Sequence, residues 1–62
     1  MLKANIRVRV AVAKAGIRYS DLADTLGISR YTLSTKLKYE LDSKVQREMI
    51  EAVERTKARL AE

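Results

Sequence analysis

Within nine consecutive positions this 62-residue chain places Arg30, Tyr31, Thr32, Ser34, Thr35, Lys36 and Lys38. They supply one guanidinium, a phenol, three aliphatic hydroxyls and two ammoniums. None has the partner that bond-making chemistry requires, because the chain contains neither histidine nor cysteine. That absence removes the usual general base near neutral pH, thiol nucleophiles and zinc ligation. What the set can do is recognise. Arginine donates in parallel to O6 and N7 of guanine, hydroxyls reach base edges, threonine methyls touch thymine methyls, and lysines neutralise phosphates. At helical spacing Tyr31, Thr35 and Lys38 share a face opposite Leu33 and Leu37. Thr32 and Ser34 flank that face, and Arg30 stands at its leading end. The face is rich in hydrogen-bonding groups as well as charged, which suits base readout.

Two short helices joined by a tight turn must position these groups. Leu22, Ala23 and Leu26 recur at helical spacing before Gly27, and Ile28, Leu33 and Leu37 continue after it. The small Ala23 permits close approach of a second helix. Gly27 follows the last apolar residue and fits a left-handed C-cap, a conformation that costs other residues energy. Ser29 is placed to cap the following helix. The expected spans are about Ser20 to Leu26, with Ser20 as N-cap and Asp21 favoured at the positive helix end, and about Arg30 to Tyr39. Asp21 and Asp24 are therefore read as structural.

Residues 19–38 resemble the helix-turn-helix of the λ-repressor/Cro family. In that family an alanine at the fifth motif position and a glycine at the ninth are the signature. Ala23 and Gly27 stand there, with Leu22, Leu26, Ile28 and Leu33 at the fourth, eighth, tenth and fifteenth. There are two departures: Tyr19 replaces the glutamine frequent at the first position, and Lys36 occupies the usually apolar eighteenth, where neighbouring Leu37 takes over the packing. The resemblance implies an all-α, four-helix λ-repressor-like domain that lays its third helix in the major groove of double-stranded DNA. It implies base contacts from Arg30, Tyr31, Thr32, Ser34 and Thr35. Arg18, Tyr19, Ser29, Lys36 and Lys38 would touch the backbone, and Ala23, Gly27 and Leu33 would hold the motif. It also implies a bacterial or phage origin, a nucleoid-associated cytoplasmic location, and occupancy of an operator. An excisionase-like architectural factor would share all these features.

Charge agrees in placement with that reading. The net charge is +5, but residues 1–38 hold eight Lys/Arg against two Asp, whereas residues 39–62 hold five basic against six acidic side chains. Positive charge gathered beside the motif is what counterion release from DNA uses. So short a chain is read as one domain, 1–62, near the lower size limit for independent folding. No apolar run approaches the roughly 20 residues of a membrane span, and Arg7 and Arg9 interrupt any signal-peptide core. An enzyme, a cofactor, a metal and a small-molecule ligand are not expected.

The flanking segments are read as helices too. Leu2, Ile6, Val10, Ala13 and Ile17 fall on one stripe of a first helix spanning about Lys3 to Ala15, and this stripe is assigned to the core. Ile6-Arg-Val-Arg-Val-Ala-Val12 also alternates as a strand would, but no second strand is available to pair with it. A second apolar line, Ala4, Val8, Ala11, Val12 and Ala15, is left for the last helix or for a partner. The basic residues Lys3, Arg7, Lys14 and Arg18 run nearly in line between the two. The last helix, about 43–61, is expected to start with a Ser43–Gln46 capping box and to bury Val45, Met49, Ala52, Val53, Thr56 and Leu60. Ile50 falls off that stripe. With Val8 and Val12 it would form a patch for a homodimer on two half-sites, or, if the helical scaffold has lost its DNA role, for another protein.

Overall fold

The computed structural model describes residues 4–62. Leu2 and Lys3, placed above on the first helix, lie outside them. Among the described residues there are four helices and no strand: α1 Ile6–Ala15, α2 Tyr19–Leu26, α3 Arg30–Leu37 and α4 Ser43–Leu60. None is long and apolar enough to cross a membrane. The long α4 packs on α1 and α2, and α3 packs on α2. Val8, Val12, Leu22, Ala23, Leu33, Leu37, Met49, Ala52 and Val53 form the core. Ala23 and Ala52 are both buried, and such small side chains let the α2 and α4 backbones come close.

The helical reading of Ile6–Val12 holds, but the face assigned to the core is reversed. Val8 and Val12 are buried and Ala11 and Ala15 half-buried, while Ile6 and Val10 are each 43% exposed and Ala13 is exposed. Both apolar lines have helical period, so periodicity cannot choose between them. Asn5 decides the rotation. It precedes the helix in the left-handed region (φ 60°) and is completely buried. Asn5, Val8 and Val12 follow at spacings of three and four, so a buried asparagine heads the core-facing stripe. The patch expected around Val8, Val12 and Ile50 is therefore not a surface: both valines are interior, and Ile50 is half-buried against the core.

Three helix ends also differ from expectation. The N-cap of α2 is Arg18, not Ser20, and its backbone N–H donates to Asp21 Oδ2 at 3.1 Å. Helix α3 ends at Leu37, two residues before Tyr39, where the side chains of Asn5 and Arg9 take the carbonyl of Leu37. The cap of α4 is Asp42, whose Oδ1 accepts from Val45 N–H at 2.9 Å, and Ser43 is already helical. Gln46 does not reach back in a capping box. Its amide donates to Glu40 Oε2 at 2.9 Å and to Leu41 O at 2.7 Å, bracing the α3–α4 connection. On α4, Met49, Ala52, Val53 and Thr56 are buried as expected, Val45 is half-buried and Leu60 is half-exposed. The Thr56 hydroxyl donates to Ala52 O and shares a 2.6 Å hydrogen bond with Thr25, so its burial leaves no polar atom unpaired.

Candidate nucleic-acid interface

The turn before α3 is fixed by backbone chemistry. Gly27 has φ 72°, and its N–H donates to Asp24 O at 3.2 Å while Ile28 N–H donates to Ala23 O at 3.0 Å. This pair of bonds is a Schellman motif, which satisfies the last carbonyls of α2. Ser29 caps α3: its Oγ accepts from Thr32 N–H at 3.1 Å and donates to Thr32 Oγ1 at 2.9 Å. Leu33 and Leu37, both buried, then anchor the helix on its inner side. Lys36 is exposed beside Leu37, as expected from their exchange of roles.

The outer side carries most of the selected groups. Arg30, Tyr31, Ser34, Thr35, Lys36 and Lys38 are exposed, Tyr31 by 81%. Thr32 is half-buried beside the cap. The Thr35 hydroxyl donates to Tyr31 O at 3.0 Å, and the residue stays exposed. Arg18 is exposed and Tyr19 half-buried at the start of α2.

Arg9 was not among the selected residues. With Tyr19, Arg30, Ser34 and Leu37 it lines a cleft of about 230 Å³ where α1, α2 and α3 meet. Its Nε donates to Ala4 O at 2.8 Å and its Nη2 to Leu37 O at 3.1 Å, so the guanidinium is held in place. Arg7, two positions earlier, faces elsewhere. It lines a second cavity of about 460 Å³ with Glu40, Asp42 and Ser43. Residues two apart on a helix point about 200° apart, so Arg7, from the near-line of basic residues, and Arg9, outside it, border different cavities.

Asn5 is the other residue that sequence reasoning passed over. Its Nδ2 donates to Leu37 O at 3.1 Å and to Tyr39 O at 2.8 Å, and its Oδ1 accepts from Leu41 N–H at 2.8 Å. Its backbone N–H donates to Glu40 Oε1 at 2.8 Å. That bond first, and the Gln46 amide second, hold the Glu40 carboxyl below the ordinary value of 4.5. An asparagine just ahead of a helix-forming run, a residue type tolerant of the left-handed region, was the signal available in the sequence. Among the described residues no group of three or more His, Cys, Asp or Glu side chains could hold a metal ion.

Comparison of the chain with family models, with curated proteins and with solved structures gave no match.

Proposed function

We propose that this chain is a sequence-specific DNA-binding protein of the helix-turn-helix type that acts by occupying its site. Helix α3 enters the major groove. Tyr31, Thr32, Ser34 and Thr35 meet base edges and thymine methyls there, with Arg30 at the leading end. Arg18, Tyr19, Ser29, Lys36 and Lys38 lie along the phosphates. The observation that carries this reading is the two-sidedness of α3. Leu33 and Leu37 are its buried side chains, Thr32 is half-buried beside the cap, and the remaining side chains form an exposed, hydrogen-bonding, basic face. A solvated helix face needs charge, but an exposed tyrosine among hydroxyls and cations gains little from water alone and suits a groove.

The rival reading, a helical scaffold that binds a protein through Val8, Val12 and Ile50, loses its supporting feature, since the valines are interior. Operator occupancy and an architectural role both need the same contacts. One eight-residue helix offers limited affinity, so two copies on an inverted repeat about one DNA turn apart belong to the proposal. Selection of binding sites from random duplexes tests all of this. The expected result is a short consensus repeated with two-fold symmetry. A selected pool as random as its input refutes sequence-specific binding, and a single asymmetric consensus refutes the paired arrangement. A bending assay on the selected site then separates an architectural role from plain occupancy.

A further inference from the structure

We propose that the cleft between α1, α2 and α3 is a seat for one backbone phosphate diester, and that Arg30 and Ser34 serve this seat instead of base edges. The inference rests on the DNA reading above and narrows it. The cleft of about 230 Å³ is bordered by Arg9, Tyr19, Arg30 and Ser34 over a floor of buried Leu37. The polar side chains of this lining are two guanidiniums, one phenol and one hydroxyl. All of them can donate a hydrogen bond and no carboxylate is among them, so the set selects an anion.

Arg9 is prearranged for the task. The carbonyls of Ala4 and Leu37 hold its Nε and Nη2, and its remaining N–H groups need no further ordering on binding. Arg30 brings a second full charge to the same small space. Two guanidiniums bordering one cleft repel each other until a negative group sits between them, and a planar fork on each side matches phosphate oxygens well. Tyr19, the first residue of α2, and Ser34, one turn along α3 from Arg30, complete the donors that line the cleft. A seat built this way fixes the register of α3 on the duplex and leaves sequence readout to Tyr31, Thr32 and Thr35.

The test uses the full chain and two substitutions, R30A and Y19F, neither of which removes a hydrogen bond that holds the fold. Arg9 is left intact because it joins α1 to the end of α3. Circular dichroism melts establish that both variants fold. Fluorescence anisotropy is then measured across a salt series on the selected duplex and on a scrambled one. R30A is expected to weaken both duplexes by the same factor, roughly tenfold, and to flatten the slope of log affinity against log salt by about one. Y19F should weaken both equally, by less. Inorganic phosphate titrated without DNA should perturb the Arg9 and Arg30 side-chain resonances only weakly. Saturation at micromolar phosphate overturns the diester as occupant in favour of a free anion. Loss confined to the selected duplex, with an unchanged salt slope, makes Arg30 a base reader and overturns the seat while the DNA reading stands. Binding of neither duplex by the unaltered protein overturns the DNA reading, and the diester with it.

Discussion

Replacing Asn5 tests whether one buried side chain holds the α3–α4 connection. In N5A, Tyr39 O and Leu41 N–H lose their partner, while Leu37 O keeps the Arg9 guanidinium. A backbone group left unpaired in a buried site costs about 1–3 kcal/mol, and both contacts are only part-buried, so water recovers some of that. Alanine must also adopt the left-handed conformation that asparagine tolerates at φ 60°, adding about 1 kcal/mol. Together these predict a loss of about 2–4 kcal/mol. A domain of this size has roughly 3–9 kcal/mol in total, so the midpoint should fall by about 8 °C or more, taking roughly 4–8 °C per kcal/mol. N5G separates the two causes. Glycine adopts positive φ freely, so it should recover about 1 kcal/mol relative to alanine without restoring any hydrogen bond. N5D keeps the acceptor for Leu41 but turns a carboxylate oxygen towards two carbonyls, and should melt below the unaltered protein at neutral pH. Thermal and urea melts followed by far-ultraviolet circular dichroism provide the comparison. An N5A midpoint equal to the unaltered protein's would refute the clamp, and N5G no better than N5A would refute the backbone contribution.

Other outcomes follow from the same structure. A Cβ at Gly27 would meet nothing within 4 Å, so only its positive φ resists substitution. G27V should therefore cost about 1–3 kcal/mol and G27N much less, and equal melts for the two would exclude a left-handed requirement. The carboxyl of Glu40 is held below its ordinary value, so its contribution to stability is present above 4.5 and is lost as pH falls through the lowered value. E40Q should melt lower than the unaltered protein at neutral pH, and the gap should close as the solution is acidified; a gap that does not change with pH refutes the assignment. V8K buries a charge where the side chain is wholly covered and should unfold the domain, whereas V10K, at a position 43% exposed, should stay within about 0.5 kcal/mol. Reversed effects in the melts would restore the opposite face of α1 to the core. Y31A and T35A should also leave stability within about 0.5 kcal/mol while changing the selected consensus, and a loss of stability instead would show that this face serves the fold.

The sequence made the local signals of the α2–α3 segment legible and left the partners of α1 hidden. The Gly27 turn and the Ser29 cap act through neighbours no more than five residues away, and Leu33 and Leu37 declare their buried side by helical spacing, so residue type and spacing reveal them. Asn5 and Arg9 act across 28 to 36 residues, and no local pattern records such a contact. The reversed face of α1 shows the same limit. Two apolar lines of equal period are degenerate until a long-range bond selects one, and the selecting residue is polar. The cap at α4 failed for a more local reason. Asp42 and Ser43 are both good caps, and Gln46, which would have favoured Ser43, is taken by Glu40 and Leu41. For the candidate site, the exposed face of α3 was readable from its residues, but its meeting with Arg9 was not.

These long-range bonds bear on what the α2–turn–α3 unit is. Helix α3 has only eight residues, well short of the length at which an isolated helix persists in water. Its inner side contributes two leucines, and its start is held by the Schellman turn and the Ser29 cap. At its other end the carbonyl of Leu37 is taken by both Asn5 and Arg9, each reaching in from the α1 end of the chain. Every one of these fastenings lies on the buried side or at a terminus, and none uses the outward groups of Arg30, Tyr31, Ser34 or Lys38. Of the exposed side chains of α3, Thr35 bonds within the helix, to Tyr31 O, and Arg30, Tyr31 and Ser34 stay out of these fastenings. Substitutions at Arg30, Tyr31, Ser34 and Lys38 should therefore leave the scaffold as it is. The unit that presents the face is accordingly larger than the motif, because without Asn5 and Arg9 the carbonyl of Leu37 loses both of its side-chain partners.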